Sequence, residues 1–354
     1  MNTGKRILVA PLDWGLGHAS RCIPIIRLLL KKNCTVVIAS SGRALELLRK
    51  EFPELRCFEI VAYNPVYPSG ASMVFSMAIQ IPKFLSAIRK EQTQIEKIVE
   101  RNNIDVVISD NRYGAYSKNV KSVFMTHQLN IQMPGFMKWL EESVNRQNEK
   151  YIQKFAECWI PAPEKNFIPL LLQHKGNLNL RYLGFLSRFE SRPAEKKFKV
   201  CAICSGPEPQ RTVFENILSV QLKKMNGPTI IIRGKTETPN KYFNKYQQFT
   251  IANYLTSEDL NEVIEQSDMV IARSGYSTVM DLARLEAKAV FIPTPGQTEQ
   301  EYLAAELMKS KIAFSAKQSQ FDLSSALAQA ENYSGFHNLD RDDSLLEKAV
   351  DSLL

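Results

Sequence analysis

The sequence predicts an α/β protein built from two doubly wound domains that face each other across a cleft. Three observations predict it. Apolar runs of strand length alternate with runs of helical spacing, and this alternation restarts in the second half. At 354 residues the chain also exceeds what one core usually organises. The composition, 44% hydrophobic and 23% charged, is that of a globular protein. No apolar run reaches the roughly 18 residues that span a bilayer. The opening MNTGKRILVA lacks the apolar core of a signal peptide, and its short apolar run reads as a strand.

The elements follow in order. KRILVAP is a strand, the glycine loop LDWGLGHASR follows it, and SRCIPIIRLLLKK has helical spacing. CTVVIASS is a second strand, SGRALELLRKEF a helix and FEIVAY a third strand. A helical stretch runs from about Ser72 to Arg101, interrupted by Pro82, and IDVVISD and SVFMTHQL are further strands. CWIPAP and LRYLGF then open the second series. SRPAEKK, charged and carrying a proline, is a surface loop or linker. After it come strand KVCAICSG, helix RTVFENILSVQLKKM, strands PTIIIRG and FTIANYL, helix SEDLNEVIEQS and strand MVIARSG. Helix STVMDLARLEA, strand AVFIPTP and helix TEQEYLAAELMKS complete the series. The expected division is residues 1–160, 161–335 and a final amphipathic helix in 336–354 that packs back on the N-terminal domain. Ligands of such folds bind outside the C-terminal ends of the strands.

Charge is unevenly divided. Residues 1–150 hold 21 Lys/Arg against 13 Asp/Glu, and the remainder holds 24 of each. This diffuse excess lacks the dense aromatic-interleaved patch of a nucleic-acid binder, so no nucleic-acid partner is expected; it suits an anionic membrane surface or an acidic substrate. The six cysteines show no disulfide spacing, which fits reduced thiols in a cytoplasmic protein. Cys201 and Cys204 form a CxxC inside a strand-like run with no second pair, and core packing is the expected role.

The candidate site residues stand where strands end. In the first loop Gly15 and Gly17 permit close approach, and the helix start beyond them offers free N–H groups to an anion. His18 there is either a general base or a helix cap. Asp110, beside Asn111 and Arg112, either orients His18, binds acceptor hydroxyls or forms a turn. Arg21 covers the helix. In the second half, Ser274 and Gly275 end a strand, Thr278 and Asp281 enter the next helix, and Glu299 and Gln300 follow PTPGQ. A carboxylate near a helix start can accept bonds from both ribose hydroxyls, and an exposed N–H row can bind a diphosphate. His174 and His337 lie in polar stretches and are expected to be solvated.

Residues 273–305 resemble the donor-binding signature of GT-B glycosyltransferases, and most closely that of glycosyltransferase family 28. GLGHASR resembles that family's glycine-rich loop, MTHQLN its second acceptor-side loop and CSGPEPQRT its phosphate loop. YLTSEDLNEVIEQSDMVIARSG resembles the stretch that reads the uracil. The likeness runs from about residue 5 to 310. It implies two Rossmann-like domains and an inverting transfer from a nucleotide-sugar, with UDP the expected nucleotide, to a lipid-linked or other cell-envelope acceptor. It further implies His18, Asp110 and His127 on the acceptor side. On the donor side it implies Gly17, Ser205, Gly206, Arg233, Leu255, Ser274, Gly275, Thr278, Asp281, Glu299 and Gln300. Arg233 either contacts the diphosphate or is a surface arginine. No bound metal and no cofactor are expected, the nucleotide-sugar being a co-substrate. Asp281 stands where the family usually has Glu, and the first loop is shorter than that of the family's peptidoglycan enzyme, so a different sugar or acceptor is expected. The alternatives are a sugar-nucleotide 2-epimerase or a non-catalytic nucleotide-sugar-binding protein of the same fold. VFSMAIQIPKFL and IQMPGFMKWL suit an amphiphilic acceptor and a peripheral position on the inner face of the cytoplasmic membrane, or else a core.

Overall fold

The computed structural model describes residues 4–63, 80–133, 135–163, 169–174, 176–206, 208–235, 244–246, 249–337, 339 and 342–354. The chain forms two units, Met1–Arg188 with Arg341–Leu354, and Phe189–Asp340.

The first unit holds a parallel sheet of β1 (Arg6–Pro11), β2 (Thr35–Ser40), β3 (Arg56–Glu59), β4 (Val106–Asp110), β5 (Lys121–Met125), β6 (Glu157–Ile160) and β7 (Leu180–Tyr182). Its spatial order is β3-β2-β1-β4-β5-β6-β7, so the direction of winding reverses between β1 and β4. Its helices are α1 (Gly17–Lys31), α2 (Gly42–Glu51), α3 (Ile81–Asn102), α4 (Glu141–Ile152) and the short α5 (Pro169–Leu172). Successive residues of a strand face opposite sides, and β1 is apolar on both. Ile7 and Val9 join Ile23 and Ile26 of α1 in one core, whereas Leu8 and Ala10 join Ile95 and Val99 of α3 in the other.

The second unit repeats the plan with β8 (Phe198–Ile203), β9 (Thr229–Ile232), β10 (Asn244–Tyr246), β11 (Phe249–Ala252), β12 (Ser267–Ala272), β13 (Ala289–Phe291) and β14 (Phe314–Ser315). The order is β10-β11-β9-β8-β12-β13-β14; β10 pairs antiparallel with β11 and the other pairings are parallel. The helices are α6 (Gln210–Leu222), α7 (Ser257–Glu265), α8 (Tyr276–Arg284), α9 (Thr298–Lys309) and α10 (Leu323–Ala330). Here the winding reverses between β8 and β12. Phe214 and Leu218 of α6 pack with Val200 and Ala202 of β8. The last helix, α11 (Ser344–Asp351), returns to the first unit, where Ala349 and Val350 share the core of α1. Lys32 pairs there with Glu347 at 3.0 Å and Asp351 at 2.6 Å.

Several expectations are corrected. The boundary falls between Arg188 and Phe189, not after residue 160, because the strands read in CWIPAP and LRYLGF extend the first sheet as β6 and β7. α3 begins at Ile81 with Pro82 in its first turn, where proline has no N–H to lose; the part of the expected helical stretch from Ser72 to residue 79 lies outside the described residues. Residues 64–79, which carry the first half of VFSMAIQIPKFL, lie outside the described residues. The third strand is Arg56–Glu59, earlier than FEIVAY. Cys201 and Cys204 are both buried in or just after β8, and burial pushes each thiol up to about 12.

Candidate active site

In the first unit the charged residues converge at the reversal point of the sheet, where open α/β folds leave a crevice. Asp110 is the last residue of β4 and pairs in register with Pro11, the last of β1, and with Met125, the last of β5. Asn111 then takes a left-handed conformation, φ 55°, which asparagine tolerates better than most residues. Gly15, at φ 83°, turns the chain from β1 into α1. Neither a side-chain cap nor an acidic residue occupies the α1 start, which leaves its first N–H groups open.

His18 is the second residue of α1, and Arg21 lies one turn on, at the i+3 position that shares its face. The His18 Nδ1 is 3.1 Å from Asp110 Oδ1. Arg21 donates from Nε to Asp110 Oδ2 at 2.7 Å and from Nη2 to Oδ1. Its Nη1 lies 2.8 Å from His127 Nδ1 and its Nη2 lies 2.9 Å from His18 Nδ1. Asp110 and Arg21 are buried and His127 nearly so, whereas the His18 side chain retains 14% exposure. The only partly open group of the four is thus an imidazole backed by a carboxylate, the geometry of a general base.

The electrostatics agree. Burial alone would raise the Asp110 carboxyl, but Arg21 and His18 outweigh it and hold it well below the usual carboxylate range. His18 is lowered, first by burial, which Asp110 opposes, and further by Arg21; it is therefore a free base at neutral pH. The thiol of Cys22, 3.7 Å from Asp110 Oδ2, is pushed well above its ordinary range by burial. Arg21 is thus corrected from a helix-covering residue to the centre of the cluster. It stands in the buried run Ala19–Ile23, and no local signal in the sequence marks it out, because the carboxylate that buries it is 89 residues away.

Arg112, also unassigned by the sequence, is fully buried and braces the same edge. It donates to Pro11 O at 2.7 Å, Ser41 Oγ at 2.7 Å, Val61 O at 3.0 Å and Glu91 Oε1 at 2.6 Å. Glu91 in turn accepts from Tyr63 Oη at 2.6 Å and Gly114 N at 2.8 Å. Beside it Trp14, Tyr63 and Phe84 form an aromatic cluster with ring centroids 5.8–6.5 Å apart. Phe84, from the stretch VFSMAIQIPKFL that suited either a membrane surface or a core, is half-buried in that cluster.

The second unit gathers its candidates at its own reversal point. Ser205 and Gly206 follow β8, with Gly206 at φ 106°; nothing lies within 4 Å of where its Cβ would be, so conformation rather than crowding calls for glycine. α6 begins just beyond; Pro209 at its cap makes no side-chain bond, but the Glu208 carboxylate accepts from Thr212 N at 3.2 Å and so already occupies the helix start. Gly275 opens α8, which has neither a side-chain cap nor an acidic first turn; Thr278 and Asp281 follow, each half-buried. Ser274 is buried and donates to Gln300 O at 2.7 Å, while Gln300 Oε1 accepts from Thr294 N at 2.8 Å. These two brace the loop, with Glu299 at the start of α9 beside them. Leu255 is buried after β11. Arg233 is engaged by Glu215 Oε1 at 2.6 Å and Asn253 Oδ1 at 2.9 Å, which makes it a tie between α6 and the loop after β11 rather than a bare surface arginine. Arg273, also unassigned, is buried over the Phe214 ring at 4.0 Å and reaches the carbonyls of Ile292, Pro293 and Gln210.

His174 is exposed, and the half-exposed His337 meets Glu286 at 3.1 Å. The sequence carries an Asp-x-Asp triplet at residues 340–342, two of which lie outside the described residues. The expectation of a metal-free transfer therefore rests on the family resemblance.

Residues 200–338 match the glycosyltransferase family 28 C-terminal domain. An uncharacterized glycosyltransferase of Methanosarcina acetivorans is 24% identical over 323 residues, 85% of this chain and 82% of that protein. The UDP-N-acetylglucosamine–N-acetylmuramyl-(pentapeptide) pyrophosphoryl-undecaprenol N-acetylglucosamine transferase of Pasteurella multocida is 24% identical over 121 residues, 34% of each chain. Among solved structures, the glycotransferase of kitacinnamycin superposes over 100% of both chains with a TM-score of 0.65 at 15% identity.

Proposed function

Because this chain is a family-28-like glycosyltransferase of the GT-B fold, we propose that it moves a sugar, with inversion, from a UDP-sugar to a lipid-linked or other cell-envelope acceptor. The observation that carries the reading is the partly open His18 imidazole held against the ionised Asp110 at the reversal point of the first sheet. The UDP-sugar and the lipid-linked acceptor are supported by the Pasteurella relative, whose name specifies both.

In this reading His18 Nε2 takes the proton of the acceptor hydroxyl as its oxygen attacks the anomeric carbon. The new C–O bond forms on the face opposite the leaving group, and the bond to the diphosphate breaks with its electrons going to the diphosphate. Asp110 Oδ1 accepts a hydrogen bond from His18 Nδ1–H and so stabilises the imidazolium. Asp281 and Thr278 hold the ribose, and the open start of α8 at Gly275, with the Ser205–Gly206 loop, meets the diphosphate. No bound metal takes part in these steps. His127 lines the acceptor side, and the site works at the inner face of the cytoplasmic membrane.

A thermal-shift screen of UDP-, GDP- and dTDP-sugars tests the donor, because a bound ligand raises the melting point by mass action; UDP-sugars are expected to give the largest shift. With the donor fixed, His18→Ala is expected to lower turnover by about 10²–10⁴ with donor affinity unchanged. Near-normal turnover in the variant removes the base assignment.

A further inference from the structure

We infer that Arg21 is a positioning residue that decides where the proton of each active-site imidazole lies. The inference rests on the reading of His18 as the base. A guanidinium has two usable edges and no acceptor. The Nε/Nη2 edge of Arg21 takes the Asp110 carboxylate, Nε to Oδ2 at 2.7 Å and Nη2 to Oδ1. The Nη1/Nη2 edge meets two imidazoles at the same atom, His127 Nδ1 at 2.8 Å and His18 Nδ1 at 2.9 Å. Since arginine only donates, His127 Nδ1 accepts and its proton resides on Nε2.

His18 Nδ1 has two suitors, Arg21 Nη2 at 2.9 Å and Asp110 Oδ1 at 3.1 Å. If Nδ1 accepts from Arg21, the ring proton sits on Nε2 and His18 cannot take another there. If Nδ1 donates to Asp110, Nε2 is bare and can act as base. Once Nε2 has taken the acceptor's proton, Nδ1 must donate to Asp110 and the Arg21 contact is given up. A histidine–aspartate pair alone would favour the imidazolium. Here the groups facing His18 are Asp110 from β4, Arg21 and Cys22 from α1, and His127 beyond β5. Arg21 offsets the Asp110 charge, so His18 stays unprotonated to lower pH than the pair alone would allow.

Imidazole NMR of the ligand-free protein tests this without depending on any substrate. The chain has four histidines, so His→Ala variants assign the signals directly. In the wild type, His18 is expected to titrate below the ordinary 6.5, and His127 Nδ1 to show the shift of an unprotonated acceptor nitrogen. In Arg21→Met the His18 midpoint is expected to rise by about one pH unit or more, and the acid limb of kcat/KM to move with it. Arg21→Lys, which restores the charge, is expected to recover most of that midpoint. A folded Arg21→Met with an unmoved or lowered His18 midpoint overturns the inference. So does a wild-type His127 protonated on Nδ1 or a wild-type His18 midpoint at or above 6.5, neither of which requires a variant to fold. If the midpoint moves while His18→Ala keeps its turnover, the positioning by Arg21 stands and the base assignment fails.

Discussion

At the scale of single residues, Asp281 tests the donor assignment most directly. It lies in the second turn of α8, one methylene shorter than the glutamate expected from the family likeness, and is half-buried beside the open helix start. A carboxylate that accepts from ribose hydroxyls makes charge-assisted bonds of about 1.5–3 kcal/mol. Asp281→Ala is therefore expected to weaken UDP binding by roughly tenfold to a hundredfold by calorimetry, with the melting point of the free protein little changed. Equal affinity in a folded variant moves the ribose elsewhere. The candidate site was legible in the sequence where a backbone demand was unusual: Gly15, at φ 83°, marks the turn from β1 into the helix that carries His18, whereas Gly275, at φ −69°, marks a strand end without such a demand. It was illegible where a charge is buried by its partners. Nothing local distinguishes Arg21 or Arg112 from surface arginines; their carboxylates, Asp110 and Glu91, are distant in sequence and meet them only in the folded sheet.

At the scale of elements, the edge that presents His18 and Asp110 is held by one buried ion pair. Arg112, just past β4, ties the ends of β1 and β2 to Glu91 on α3. Both members are fully buried, so removing one leaves an uncompensated charge, which costs about 3–5 kcal/mol. Arg112→Met is expected to lower the chemical-denaturation midpoint of the first unit accordingly, whereas Arg27→Met, at an exposed pair with Glu51, is expected to cost less than about 1 kcal/mol. A small loss at Arg112 would show that the edge is held by packing alone. The strands of both sheets could be read because they are short apolar runs buried on two faces. The boundary could not: β6 and β7 look like the start of a new series, and only their pairing beyond β5 assigns them to the first sheet. The three-residue β10 and two-residue β14 are too short to carry a period.

At the scale of the whole molecule the charge division survives the corrected boundary. The first unit holds 28 Lys/Arg against 19 Asp/Glu, and the second 17 against 18. Trp139 is 77% exposed beside Lys138, while Phe84 is withdrawn into its aromatic cluster. No helix among the described residues is long and apolar enough to cross a membrane. The proposed lipid-linked acceptor would place the basic first unit at a bilayer surface, where each Lys or Arg near an anionic leaflet contributes about 1 kcal/mol. The protein is expected to sediment with anionic vesicles at low salt and to be released near 1 M, where screening shortens to about 3 Å. Trp139→Ala is expected to weaken the attachment and Phe84→Ala to affect folding instead. A protein that stays in the supernatant at low salt points to a soluble acceptor.

The return of α11 to the first unit gives the chain an order of assembly. α1 buries Ile23 and Ile26 in a core that also contains Ala349, Val350 and Leu353, yet the entire second unit is made between them. At about 5–20 residues per second, a ribosome leaves that face of α1 incompletely covered for roughly fifteen to sixty seconds. Within that interval the second unit can close its own core, whereas the unit that began first is finished last. The apolar stripe of α1 is thus where a nascent chain is most open to wrong association and to the chaperones that prevent it.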